Sequence, residues 1–145
     1  MKIYFCGSIC GGRDDVEWYG QIISHLKNYG EVLTEIIGDK KVGPEGELKH
    51  AKDSFIHDRD LEWLLSSDVV VGEVTTPSHG VGYELAKASD ADKNILCLYR
   101  PGNGKKLSAM IRGCQKIKVM DYFTIDEAKA AIDNFFDSIN YASIN

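Results

Sequence analysis

The chain has 145 residues, 43% of them hydrophobic, which suits one compact domain over residues 1–145 that buries about 68–70% of its unfolded surface. A net charge of -5 argues against a nucleic-acid polymer as partner, because such a groove depends on many Lys and Arg releasing counterions together. With no apolar run near the ~20 residues that cross a bilayer and no signal-peptide pattern, the expected setting is soluble and cytoplasmic, or also nuclear in a eukaryotic cell, with no membrane partner.

The first strand, Lys2–Cys6, runs into Gly7, Ser8, Ile9, Cys10, Gly11, Gly12 and Arg13. Glycines there permit close backbone approach to an anion, and Ser8 and Arg13 can donate hydrogen bonds. The segment matches neither the P-loop nor GxGxxG, so an ordinary tight turn stays open. Asp14–Tyr29 predicts a helix with Tyr19, Ile22, Ile23 and Leu26 at three-and-four spacing and Gly30 as its stop. After a strand at Glu31–Leu33, Gly38–Lys52 is glycine-rich and charged without a periodic apolar face, which predicts a surface loop.

In the helix Ser54–Ser66, Ile56, Asp60, Trp63 and Leu64 share one face, and Asp60 interrupts the apolar stripe. A carboxyl group so placed is either raised toward the range of a general acid or paired with a buried amide or hydroxyl. The strand Asp68–Val74 leads into a turn and a helix through Ser78, Gly80, Gly82 and Glu84. Ser78, Gly80 and Gly82 form a tight polar cradle, and Glu84, near the start of the helix, is either a dipole partner or a reacting group. Strands at Asn94–Tyr99 and Ile117–Met120 follow, then a helix opened by the capping box Thr124 and Glu127.

This alternation predicts an α/β, Rossmann-like doubly wound fold: a five-stranded, mostly parallel sheet with helices on both faces. Gly7–Gly12 and Ser78–Glu84 then adjoin at the carboxyl ends of their strands, where such sheets bind ligands. Cys6, Cys10, Cys97 and Cys114 form no CxxC pair and read as reduced thiols, while His57 and His79 read as rim residues; no metal and no cofactor is expected. Two carboxyl groups suit cleavage of a glycosidic bond through an oxocarbenium-like transition state. Glu84 would be the nucleophile, kept ionised by the helix N-terminus, and Asp60 the acid, kept protonated by an apolar wall.

The segments Tyr4–Ser8, Gly11–Arg13, Asp60–Leu64, Asp68–Val71, Glu73–Thr75, Pro77–Ser78, Gly80–Leu85, Ile95–Leu98 and Leu107–Gly113 resemble the 2′-deoxynucleoside 5′-phosphate N-hydrolase family, within the nucleoside 2-deoxyribosyltransferase superfamily. The resemblance implies hydrolysis of 2′-deoxynucleoside 5′-monophosphates to free base and 2-deoxyribose 5-phosphate. It implies that Glu84 forms a covalent deoxyribosyl intermediate, that Asp60 with Tyr4 assists departure of the base, and that Ser8, Ser78 and the glycine-turn amides hold the phosphate. It also implies a homodimer in which Ser108 reaches the neighbouring site; a serine there, in place of the carboxylate of the nucleoside transferases, favours nucleotides. The family's Arg before the Gly-Gly pair is replaced by Cys10, a loss of about 1.5–3 kcal/mol of phosphate binding unless Arg13, Lys105 or Arg112 substitutes. Two alternatives stand beside this reading: a deoxyribosyltransferase using the same Glu84, and a nucleotide-binding module without catalysis.

Overall fold

The structure, a computed structural model, describes residues 1–9, 15–34, 51–102, 104 and 106–142. Their order is β1 (Lys2–Cys6), α1 (Val16–Leu26), β2 (Glu31–Val32), α2 (Asp53–Ser66), β3 (Val69–Glu73), α3 (His79–Asp90), β4 (Asn94–Tyr99), α4 (Ala109–Arg112), β5 (Ile117–Asp121) and α5 (Ile125–Ala142). The sheet has the order β2-β1-β3-β4-β5 and every pairing is parallel. Among the described residues no helix is long and apolar enough to cross a membrane.

The period of two along the strands sorts side chains between two cores. Ile3, Phe5, Val69 and Val71 face α1 and α5, packing against Tyr19, Ile22, Ile132 and Phe136. Tyr4, Cys6 and Val70 face the other way, with Leu64 of α2 and Val81, Leu85 and Ala88 of α3. Strands buried on both faces account for the nearly unbroken apolar runs of β3 and β4. The register sets Tyr4 beside Val70 and Cys6 beside Gly72, so β1 and β3 end side by side. The connection from β1 leads outward to β2 on one side, whereas β3 lies on the other. The switch point of the winding is therefore between β1 and β3.

Two sequence-based boundaries shift. The first helix ends at Leu26, with Lys27 still in the right-handed helical region at its C-cap, rather than running to Gly30. Gly30 has another reason to be glycine: a Cβ there would stand 2.2 Å from the Met1 carbonyl oxygen, which accepts the Glu31 N–H at 3.0 Å. The edge strand β2 is only two residues long, and the loop expected over 38–52 lies outside the described residues apart from Ala51 and Lys52.

The capping box forms as expected. The Glu127 N–H donates to Thr124 Oγ1 at 3.3 Å, while Glu127 Oε2 accepts from the N–H groups of Thr124 at 3.2 Å and Phe123 at 2.6 Å. Ala128, Ala131, Ile132, Phe135 and Phe136 are buried below it. Replacing the cap hydroxyl, Thr124→Ala, should cost about 1 kcal/mol by urea denaturation. Adding Glu127→Ala should cost less than the two single losses summed, because each partner needs the other.

Candidate active site

Two loops and two helices converge at the switch point. Tyr4, buried in the middle of β1, points its ring toward α3, and its hydroxyl donates to Glu84 Oε1 at 2.5 Å. The sheet therefore reaches directly into the helix. Glu84 lies in the second turn of α3, not in its first as the sequence suggested, because the helix already begins at His79. Burial pushes its carboxyl group up from 4.5 to about 7, against the opposing pull of the Tyr4 hydrogen bond, and the nearby Asp60 carboxylate adds to the rise. The expected effect of the helix dipole is thus outweighed by desolvation. Tyr4 is raised well above 10, mainly by burial and then by Glu84, so its hydroxyl stays a donor.

Asp60 completes the group from α2, close enough to both Tyr4 and Glu84 to raise each. Its surroundings differ from the apolar wall expected of it. Arg59 donates to Asp60 Oδ1 through Nε at 2.9 Å and Nη2 at 2.7 Å, and the guanidinium stacks over the Trp63 ring at 4.5 Å. Of the face named from the sequence only Leu64 is buried, and Ile56, Asp60 and Trp63 are partly exposed. The helix lies at the rim of the sheet, where a salt-bridged carboxylate stays accessible. His57, also on the rim, hydrogen-bonds Asp58 at 2.9 Å and the Tyr83 hydroxyl at 3.0 Å.

The strands that lead into the two polar segments, β1 and β3, end side by side, and residues 10–12 of the first segment lie outside the described residues. After β1, Ser8 is fully buried, its N–H donates to the Tyr19 hydroxyl at 3.1 Å, and its Oγ has no hydrogen-bond partner among the described residues. A buried hydroxyl in that condition calls for an explanation, as does Glu73 Oε2, which shares it. Gly7 serves the packing beneath: a Cβ would stand 2.9 Å from the Tyr19 ring. Cys10, Gly11, Gly12 and Arg13 lie outside the described residues, as does Lys105, whereas Arg112 bonds Asp121 at 2.8 Å. After β3, Ser78 caps α3, its Oγ accepting the Val81 N–H at 3.3 Å, and Gly80 and Gly82 occupy the first turn.

Ser108 shows no bond to Glu84 or Tyr4 among the described contacts. It is exposed at the N-cap of α4, where its Oγ accepts the Met110 N–H at 3.3 Å. It lines a cavity of about 590 Å³ on another flank of α3, together with Ser78, Gly82, Leu85, Tyr99 and Ile111. The residues lining that cavity do not include Tyr4, Asp60 or Glu84.

Sequence reasoning passed over a second buried carboxyl group, Glu73, at the end of β3. Burial raises it to about 7 despite hydrogen bonds from Thr75 and Tyr122. The signal was present, since an acidic residue inside an otherwise apolar parallel strand requires an explanation.

With the geometry in place, comparison with known proteins defines the class. Residues 3–133 match the family model described as nucleoside 2-deoxyribosyltransferase, and the chain belongs to that family. Among curated relatives, the "5-hydroxymethyl-dUMP N-hydrolase" of Tetraodon nigroviridis is 51% identical, covering 95% of this chain and 99% of the relative. The "Putative 2′-deoxynucleoside 5′-phosphate N-hydrolase 1" of Trichoplax adhaerens is 55% identical, covering 93% and 92%. A solved structure of Clostridium botulinum CMP N-glycosidase, BcmB, superposes with a TM-score of 0.68 at 15% identity, covering 93% of this chain and 99% of that one, which shows a shared fold.

The position of Glu84 generates a stability test. Between pH 4.5 and about 7 the native carboxyl group keeps a proton that the unfolded chain has released, so stability falls as pH rises through this window. Glu84→Gln should therefore stabilise the fold by up to about 3 kcal/mol at pH 8 and by much less at pH 5, as read from thermal midpoints. An equal gain at both values would show that Glu84 does not titrate in this range.

Proposed function

We propose that this protein hydrolyses the N-glycosidic bond of 2′-deoxynucleoside 5′-monophosphates, releasing the base and 2-deoxyribose 5-phosphate. The observation that carries the reading is the Tyr4–Glu84 hydrogen bond beside Asp60 at the switch point, in a chain about half identical to deoxynucleotide N-hydrolases. Tyr4 holds Oε1 of Glu84 and leaves its second oxygen to attack the anomeric carbon as the bond to the base breaks. Asp60, held as a carboxylate by Arg59, assists departure of the base by orienting a water that gives it a proton. The hydroxide so formed attacks the same carbon, and the Glu84 carboxylate is released. Burial strengthens the nucleophile by removing its water shell, at the cost of a higher pKa.

Ser8, with its unpartnered Oγ, and the start of α3 with Ser78, Gly80 and Gly82 flank the crevice and hold the 5′-phosphate, supported by helix amides and dipole. Gly7 precedes Ser8, and Cys10, Gly11 and Gly12, which follow it in the sequence, supply no charge. The exposed Ser108 is suited to the site of a second copy, which makes the working unit a homodimer. An active monomer in sedimentation at assay concentration would overturn that arrangement.

The functional test is release of free base from dGMP, deoxyguanosine, GMP and 5-hydroxymethyl-dUMP. The deoxynucleoside monophosphates should be cleaved far better than deoxyguanosine or GMP, and Glu84→Gln should lose on the order of 10³-fold or more in kcat. Because the nucleophile must be ionised, kcat/KM should rise with pH through about 7 and fall on the acid side. Retained turnover in Glu84→Gln would exclude Glu84 as nucleophile. The family model favours one second reading, transfer of deoxyribose to another base, which an acceptor base added to the assay would reveal as a new nucleoside product.

A further inference from the structure

On the opposite face of the sheet from Glu84, a polar network joins the ends of four elements. Asp15, at the N-cap of α1, does not cap its own helix although Asp is among the residues best suited to do so. Its carboxylate, almost fully buried, accepts instead from Arg100 Nη2 through Oδ1 and from Thr76 Oγ1 at 2.6 Å through Oδ2. Arg100 is fixed in turn: its N–H donates to Thr75 Oγ1 at 2.9 Å, its Nη1 to the Tyr122 hydroxyl at 3.0 Å, and its guanidinium lies 4.3 Å over the Trp18 ring. Tyr122 and Thr75 both donate to Glu73 Oε1.

Asp15 stands where the chain leaving β1 by way of Gly7 and Ser8 enters α1, and Thr76 stands two residues before Ser78. One carboxylate therefore joins the N-cap of α1 to the segment between β3 and α3. We infer that Asp15 is a positioning residue, which through Thr76 and Arg100 sets the spacing between α1, whose Tyr19 hydroxyl accepts the Ser8 N–H, and the segment that leads to Ser78, the two serines read as holding the nucleotide phosphate. The inference rests on the reading of that phosphate site given above. It assigns the forgone helix cap a purpose: the residue gives up a local hydrogen bond and gains a fixed distance between two segments far apart in sequence. Because the network touches neither Tyr4 nor Glu84, its influence falls on phosphate binding and not on the chemical step.

The test compares wild type, Thr76→Val, Thr76→Ser and Asp15→Asn, with kcat and KM for dGMP and deoxyguanosine and the inhibition constant of inorganic phosphate. Thr76→Val and Asp15→Asn should raise both the KM for dGMP and the phosphate inhibition constant on the order of tenfold or more, with kcat held within about twofold. Efficiency on deoxyguanosine should not change, and Thr76→Ser should restore the wild-type values. An equal loss on both substrates with an unchanged phosphate inhibition constant would make the network a support of the fold alone and overturn the inference. Wild-type protein that cleaves dGMP and deoxyguanosine equally would remove the phosphate reading and the positioning role with it. Should Asp15→Asn fail to fold, Thr76→Val, which keeps the side-chain shape, decides the matter.

Discussion

Everything at the candidate site depends on one topological constraint: the chain winds outward from β1 in one direction and resumes from β3 in the other. The connecting helices therefore leave on opposite faces, with α1 over one core and α3 over the other. Between the carboxyl ends of these two central strands lies the switch point of the winding. Tyr4 and Glu84 meet there because β1 supplies a side chain to the same face on which α3 packs. Ser8 follows β1 and Ser78 follows β3, and both strands end at one level, fixed by the register of Cys6 with Gly72.

Among the described residues burial brings two glutamates to about 7, and their surroundings differ. Glu73 is fully enclosed, with Thr75 and Tyr122 on one oxygen and Arg100 acting nearby. Glu84 has one neutral donor, Tyr4, and is partly open to solvent. A similar proton affinity thus arises from a sealed structural network in one case and from an accessible oxygen in the other. Perturbation of a carboxyl group is a guide to function only when a substrate can reach it.

Much of this was legible in the sequence where signals were local and periodic. Lys2–Cys6 and Asn94–Tyr99 fall where β-branched and apolar runs predicted them, and Thr124 with Glu127 marked the last helix. The side-by-side ending of β1 and β3 followed from the general behaviour of wound sheets. What the sequence concealed was set by contacts between distant segments. Gly30 looks like a helix stop but is required by the Met1 carbonyl, 29 positions away in sequence yet adjacent in space. Glu84 reads as a first-turn acid because Gly80 and Gly82 resemble a turn, whereas both belong to the helix. The neighbour that occupies Asp60, Arg59, was visible beside it, but only a folded rotamer shows that the two side chains meet. Asp15, Arg100 and Glu73 belong to three different elements, and no spacing rule connects them.

The unequal edges of the sheet bear on how the protein behaves in a crowded solution. Parallel sheets expose unpaired N–H and C=O groups along their outer strands, which can recruit a second chain and start aggregation. Here β2, two residues long with an exposed Glu31, offers little length as a template. At the other border, β5 carries exposed Lys118 and Asp121, the latter engaged by Arg112. Charge on one margin and brevity on the other guard the apolar strands between them, so the interior β3 and β4 can be as hydrophobic as two buried faces demand without making the folded molecule adhesive.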